Sequence, residues 1–241
     1  MTAPPNPRSV RVLEEDPELA GLLAPEERTA AERQLVAPMI ALVPGDWNDA
    51  EAVAGEGCLG VLVLSGVIVR NIGRSGRLGA EILGTGDLMR PWQDGDAGSL
   101  DFGTSWTVVS PTQIAVLDQS FGQRACGFPE LMAGLLARST QRARSLAVTM
   151  AIAQEPTVEA RLELLLWHLA DRYGRVRTNG VIVPIMLTHS ILARLVAARR
   201  PSTTTALGKL AQRGLVERHV DGWLLTGDPP SHRPGGLGRG G

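Results

Sequence analysis

The stretch from Thr188 to Leu215, entered through Leu187, constrains this chain more than any other. It holds two short amphipathic helices joined by a tight turn. The first is expected from about Thr188 to Ala197, with Leu192, Leu195 and Val196 on its apolar side and Ile191 alongside. The second is expected from about Pro201 to Gln212, with Ala206, Leu207 and Leu210 at helical spacing. Pro201 suits a first helical position, where a missing N–H costs nothing. Gly214 suits the left-handed cap that ends a helix. Such a pair buries little alone, but it forms a helix-turn-helix whose second helix can enter a DNA major groove.

The downstream residues agree with this. Leu215 to Leu225 reads as strand, Asp221-Gly222 turn and strand, the wing of a winged helix. Charge divides along the chain. From Arg177 to Val220 there are seven basic residues and one acidic, 7 − 1 = +6. From Met1 to Cys126 there are nine basic and seventeen acidic, 9 − 17 = −8. The basic end suits a polyanion.

Thr188 to Leu225 resembles the DNA-binding end of the Crp/Fnr regulators, the cyclic-AMP receptor protein family. The likeness rests on the Thr opening the first helix, the Arg heading the second, Ala206-Leu207-x-x-Leu210, and Gly214-Leu215-Val216 entering the wing. It extends less specifically back to about Asp16. It implies that Arg200 reads a base. Pro201 stands where many members have a base-reading Glu, and Thr205 where many have a second Arg. Thr205 is the second candidate base-reading position, with a thymine methyl as a contact its own methyl suits. Thr188, His189, Arg199 and Ser202 match phosphate-contacting positions, and Lys209 adds a cation to the backbone set. With two of three reading positions changed, the expected target sequence differs from the family's usual one.

Upstream, Asp16 to Leu23 reads as a helix capped by Asp16, and Pro25 to Arg33 as another. From Gln34 to Asp118 short apolar runs (Leu35–Val43, Leu59–Leu64, Val67–Ile72) alternate with Gly-rich turns, which predicts an antiparallel jelly roll. Leu62 to Val67 and Leu83 to Asp87 resemble the family's sensor barrel. Members that bind cyclic nucleotide have a Glu soon after the Gly-Asp turn and an Arg-Ser pair before the next strand. Here Gly86-Asp87 is followed by Leu88-Met89-Arg90-Pro91-Trp92, and Gly103-Thr104-Ser105 precedes Trp106. An anion buried without its cation is costly. Cyclic AMP is therefore not expected to bind in the family's way, and no cofactor is expected. Trp92, Phe102 and Trp106 are candidates to line a pocket for another small ligand, against the plainer reading that they fill the barrel core.

Phe128-Pro129-Glu130 opens a long helix. Met132, Leu136, Ser139, Ala143, Leu146, Met150 and Ala153 recur at steps of four and three, a heptad seam. It predicts a homodimer, which would present two recognition helices to successive major grooves about 34 Å apart and read a two-fold symmetric operator. Pro156 breaks the helix, and Thr157 caps another carrying Val158, Leu162, Leu165, Leu166 and Leu169. Val181 to Met186 is expected to be a strand.

The expected architecture is α+β: a sensor-like β-roll over residues 1–126, a dimerisation helix over 127–155, a winged helix-turn-helix over 156–228, and a disordered tail over 229–241. Met1 to Arg11, Pro-rich, is expected to be mobile. The expected partners are double-stranded DNA, a second copy and, by resemblance, RNA polymerase. No membrane span or secretion leader is read, and Cys58 and Cys126 lie far apart, so a cytoplasmic protein with reduced thiols is expected. No histidine stands at ligand spacing with another His or Cys, and no phosphate loop occurs, so neither a metal site nor an enzyme is expected. The rival reading is a sensor module that binds a ligand or protein and leaves its basic helix in solvent.

Overall fold

The computed structural model describes residues 8–93, 100 and 102–230. The expected tail falls almost wholly outside them. The chain divides into two compact units, residues 1–150 and 151–241.

In the first unit the strands are β1 (Arg8–Arg11), β2 (Val36–Leu42), β3 (Gly45–Asp46), β4 (Gly60–Ser65), β5 (Val67–Arg74), β6 (Arg77–Gly84), β7 (Leu88–Met89), β8 (Gly103–Val108) and β9 (Thr112–Leu117). They form two antiparallel sheets, ordered β1-β2-β9-β4-β7 and β3-β8-β5-β6. The roll anticipated from the short apolar runs is present. β4 shows why its run is unbroken. Val61 and Val63 enter a cluster with Trp47, Ile68, Trp106 and Ile114, while Leu62 and Leu64 enter another with Leu13, Leu19, Phe121 and Leu131. A strand covered on both faces has no polar side to alternate. The β5–β6 hairpin turns through Ser75 (φ 53°) and Gly76 (φ 77°). Left-handed conformations at both central positions match the twist of the flanking strands.

Helices α1 (Val12–Glu15), α2 (Pro17–Ala20), α3 (Pro25–Gln34) and α4 (Gln119–Ala125) cover the first sheet's outer side, where Leu13, Leu19, Ala31 and Phe121 join its core. Asp16 caps α2 by accepting from the Leu19 N–H at 3.2 Å. The long helix α5 (Pro129–Ile152) is held on one face. Leu131 and Leu135 are buried; Arg138 pairs with Asp16 (Nη2–Oδ1 2.7 Å), and Arg142 donates to both Glu81 oxygens at 2.6 and 2.9 Å. One expectation is overturned. Arg8–Arg11, assigned to a mobile leader, is a strand registered on β2 from Arg8↔Met39 to Arg11↔Val36. Val10 packs on the core there, and the ladder satisfies a backbone that proline content alone suggested would be free.

In the second unit α6 (Val158–Tyr173) starts at Thr157, whose hydroxyl accepts from the Ala160 N–H at 3.2 Å. β10 (Arg175–Arg177), β11 (Gly180–Val183), β12 (Val216–His219) and β13 (Gly222–Leu225) form a sheet ordered β10-β11-β13-β12. β11 stops three residues short of the expected Met186, because Pro184 has no N–H to extend the ladder. The remaining helices are α7 (His189–Leu195) and α8 (Arg200–Gln212).

Candidate nucleic-acid interface

α7 and α8 form the expected helix-turn-helix. Thr188 caps α7 by accepting from the Ile191 N–H at 3.2 Å. Ile191, Leu192, Leu195 and Val196 are buried, as their spacing requires. α8 begins one residue earlier than expected, at Arg200, so Pro201 occupies the second helical position, where its N–H is equally dispensable. Its C-terminus closes on Gly214 (φ 68°): the Leu215 N–H donates to Leu210 O at 3.0 Å and the Gly214 N–H to Ala211 O at 2.9 Å. That is a Schellman closure.

α8 buries Thr203, Ala206, Leu207 and Leu210 and turns Arg200, Pro201, Ser202, Thr204, Thr205, Gly208 and Lys209 to solvent. Arg199, its N-cap, is also exposed. The residues expected to read bases, Arg200 and Thr205, and those expected to hold the backbone, Thr188, His189, Arg199, Ser202 and Lys209, all belong to this one substructure. Three have partners already, Thr188 through its cap and two more. His189 Nδ1 lies 2.9 Å from Thr204 Oγ1, joining the two helices. Lys209 donates to Glu159 of α6 at 2.6 Å, which holds the Glu159 carboxyl below its ordinary range.

The wing hairpin runs from β12 to β13 through Val220 and Asp221, one residue earlier than the expected Asp-Gly pair. Gly222 opens β13 instead; a Cβ there would meet Val183 O at 2.0 Å, so the glycine permits sheet contact rather than making the turn. Arg218 lies over the Trp223 ring, 5.7 Å from its centroid, and the His189 ring is 6.1 Å from the same indole. Burial pushes the His189 imidazole below its ordinary value, and the positive charges of Arg218 and Arg200 push it further. Cations from α8 and the wing thus converge on α7. Sequence reasoning missed Arg218 and Thr204, whose pairing across elements has no local signature.

Arg161 of α6 ties the turn in place. Its Nε donates to Glu155 O at 2.7 Å and its Nη1 to Val196 O at 3.2 Å.

In the first unit, the heptad residues of α5 fall unevenly. Leu136 and Met150 are 69% and 70% exposed, with Ser139 and Ala143 also exposed. Leu146 is half-buried and Met132 packs on its own core; Ala153, also half-buried, lies just past the end of α5 and in the second unit. A cleft of about 330 Å³ opens beside α5. Of the three aromatic candidates it is lined only by Trp106, whose buried Nε1 has no partner. Trp92 packs on the core, and Phe102 is 40% exposed. The cleft's Arg70 and Arg142 both bind the buried Glu81 carboxylate, Arg70 at 2.9 Å. Among the described residues no acidic, His or Cys cluster is placed to hold a metal, and no helix is long and apolar enough to cross a membrane.

Residues 160–229 match the Crp-like helix-turn-helix domain. A 60-residue stretch is 33% identical to an anaerobic regulatory protein of Bacillus subtilis (strain 168), covering 25% of each chain. This chain thus spans about a quarter of the length of the curated relative it matches. Among solved structures, a cyclic nucleotide-binding domain containing protein from Listeria monocytogenes EGD-e superposes with a TM-score of 0.63 at 14% identity, over 87% of this chain and 96% of that one. A CooA mutant from Carboxydothermus hydrogenoformans gives 0.60 at 17%, over 80% and 84%. FixK2 from Bradyrhizobium japonicum gives 0.59 at 14%, over 81% and 94%. The fold is the one these proteins share, a β-roll, a long helix and a C-terminal helix-turn-helix.

Proposed function

We propose that this chain, a Crp/Fnr-type protein by its fold and its Crp-like helix-turn-helix domain, is a sequence-specific DNA-binding transcription regulator. The observation that carries this is the solvent-facing start of α8, with Arg199, Arg200, Ser202, Thr204 and Thr205 exposed and with Arg218 of the wing acting on the same α7 histidine as Arg200. Arg200 donates to a guanine edge and Thr205 touches a base, where a thymine methyl fits its own. Thr188, His189, Arg199, Ser202 and Lys209 hold the phosphates and set register without reading sequence. For Lys209 a phosphate has to displace Glu159.

Two copies pair through the exposed seam of α5 and read a two-fold symmetric operator. Cyclic nucleotide is not the effector through the usual phosphate-binding residues. The support is chemical: Gly103-Thr104-Ser105 offers no arginine, and Arg70 and Arg142 already share the Glu81 carboxylate. Any effector in the cleft would be a different small molecule, with an acceptor for Trp106 Nε1.

Selection of bound sites from random duplex DNA tests the reading. Wild type is expected to enrich a palindrome. Arg200→Ala should lose roughly 1–3 kcal/mol of specific binding and relax one base pair per half-site. Failure of wild type to retain any duplex in dilute salt, or an unchanged base preference in the variant, would count against it.

A further inference from the structure

The contact between α7 and α8 carries a second property. His189 and Thr204 are joined at 2.9 Å, with Arg218 and the Trp223 ring on the wing side and Arg200 on α8. Arg218 of β12 and Arg200 of α8 both bring positive charge to bear on the imidazole, while Glu217 and Asp221 are the acids of the same hairpin. The two arginines and the imidazole, once protonated, are like charges that repel in the free protein. Their grouping becomes favourable when a polyanion arrives.

We propose that His189, Thr204 and Arg218 form one seat for a DNA phosphodiester, and that filling it draws one proton onto His189. The inference rests on the DNA-binding reading above. Its chemistry follows from the donor inventory. When the imidazole is neutral and accepts at Nδ1, the Thr204 hydroxyl commits its proton to the ring. When the ring is protonated, Nδ1–H donates to Thr204 Oγ1, and the Thr204 O–H is released to donate outward. One proton therefore supplies both a charge and a hydrogen-bond donor to a phosphate oxygen. Arg218, braced on Trp223, adds a fixed cation. In the free protein burial and the two arginines disfavour the charged ring; phosphate oxygens reverse the local field. Binding then takes up a proton, so affinity rises as pH falls.

The test is the affinity of the full chain for a labelled random-sequence duplex at fixed ionic strength, from about pH 8 to about pH 5.5, the imidazole range. Wild type is expected to bind several-fold tighter at the acid end, with a limit of about tenfold for each unit by which DNA raises the imidazole. His189→Gln, which keeps a partner for Thr204, should be pH-flat and weak. His189→Arg should be pH-flat and tight. Arg218→Gln should weaken binding throughout and reduce the salt slope by about 1. Proton NMR of the His189 ring gives an independent readout, its midpoint moving up when duplex is added. A wild type that binds duplex with no pH dependence, or a His189→Gln protein that retains the wild-type slope, overturns the seat and leaves the DNA reading standing. A wild type that binds no duplex at all overturns both.

Discussion

Ala197 holds φ +50° in the turn between α7 and α8, one of two described non-glycine residues with positive φ. The left-handed region crowds Cβ against the next carbonyl and costs an L-residue about 1–2 kcal/mol. Ala197→Gly removes that strain and gives back part of it as unfolded-chain entropy, about 0.4–1 kcal/mol. A net stabilisation of about 0.5–1 kcal/mol is expected, read as a higher urea midpoint of the second unit with unchanged slope. Thr203 makes the opposite point. Its side chain is fully buried on α8, and its hydroxyl has no hydrogen-bond partner. Valine has the same shape and the same β-branched helix cost, without a polar atom to desolvate. Thr203→Val should therefore stabilise by about 1 kcal/mol, and a destabilised variant would mean that the hydroxyl is satisfied in solution. Neither residue was legible beforehand. A left-handed turn is announced by glycine, and the sequence has alanine there; Thr203 stands inside a run of polar residues that looks uniformly exposed.

At the scale of elements the sequence was most readable where period and cap agree. Thr157, Thr188 and Asp16 are each followed by the helix that their side chains cap, and Gly214 closes α8 as a left-handed residue should. Reading failed where the partner lies far along the chain. Arg138 and Arg142 look like solvated helix residues until Asp16 and Glu81 are brought to them from the roll. Those pairs bear on the proposed dimer, because they face the core and fix which side of α5 is left outside. The outside includes Leu136 and Met150, apolar residues whose exposure costs nothing only if a second surface covers them. Replacing both with Glu should leave a folded protein, shift it from dimer to monomer in sedimentation analysis, and lower the first unit's melting temperature by the stabilisation that association supplies. A wild type that sediments as a monomer at micromolar concentration would remove the seam from the account.

For the molecule as a whole the near-neutral total, −1, conceals an acidic first part and a basic last part. The same division appears in how the two units respond to acid. In the second unit, burial holds His168 below the ordinary histidine value, with Arg172 adding to it and Asp171 opposing; His189 is lowered by burial and by Arg218 and Arg200. Groups so depressed bind fewer protons folded than unfolded. Their contribution to stability is present above the unfolded histidine value, about 6.5, and is lost as pH falls below it toward the folded values. In the first unit the Asp118 carboxyl responds elsewhere. Burial pushes it up, but the Phe121 N–H and the Ser120 hydroxyl, each at 2.7 Å, and Arg124 outweigh that and leave it lowered. Its contribution persists through the histidine range and is lost only as pH falls below the ordinary carboxylate value, about 3.9. Calorimetry between about pH 7.5 and about pH 5.5 should therefore show the second unit's transition moving down while the first unit's holds. Duplex DNA should oppose the shift, and more strongly at the acid end, since a phosphate that draws a proton onto His189 turns an acid liability of the free unit into an acid-favoured contact. Equal movement of both transitions, or protection by DNA that is the same at both pH values, would refute this coupling of charge, stability and binding.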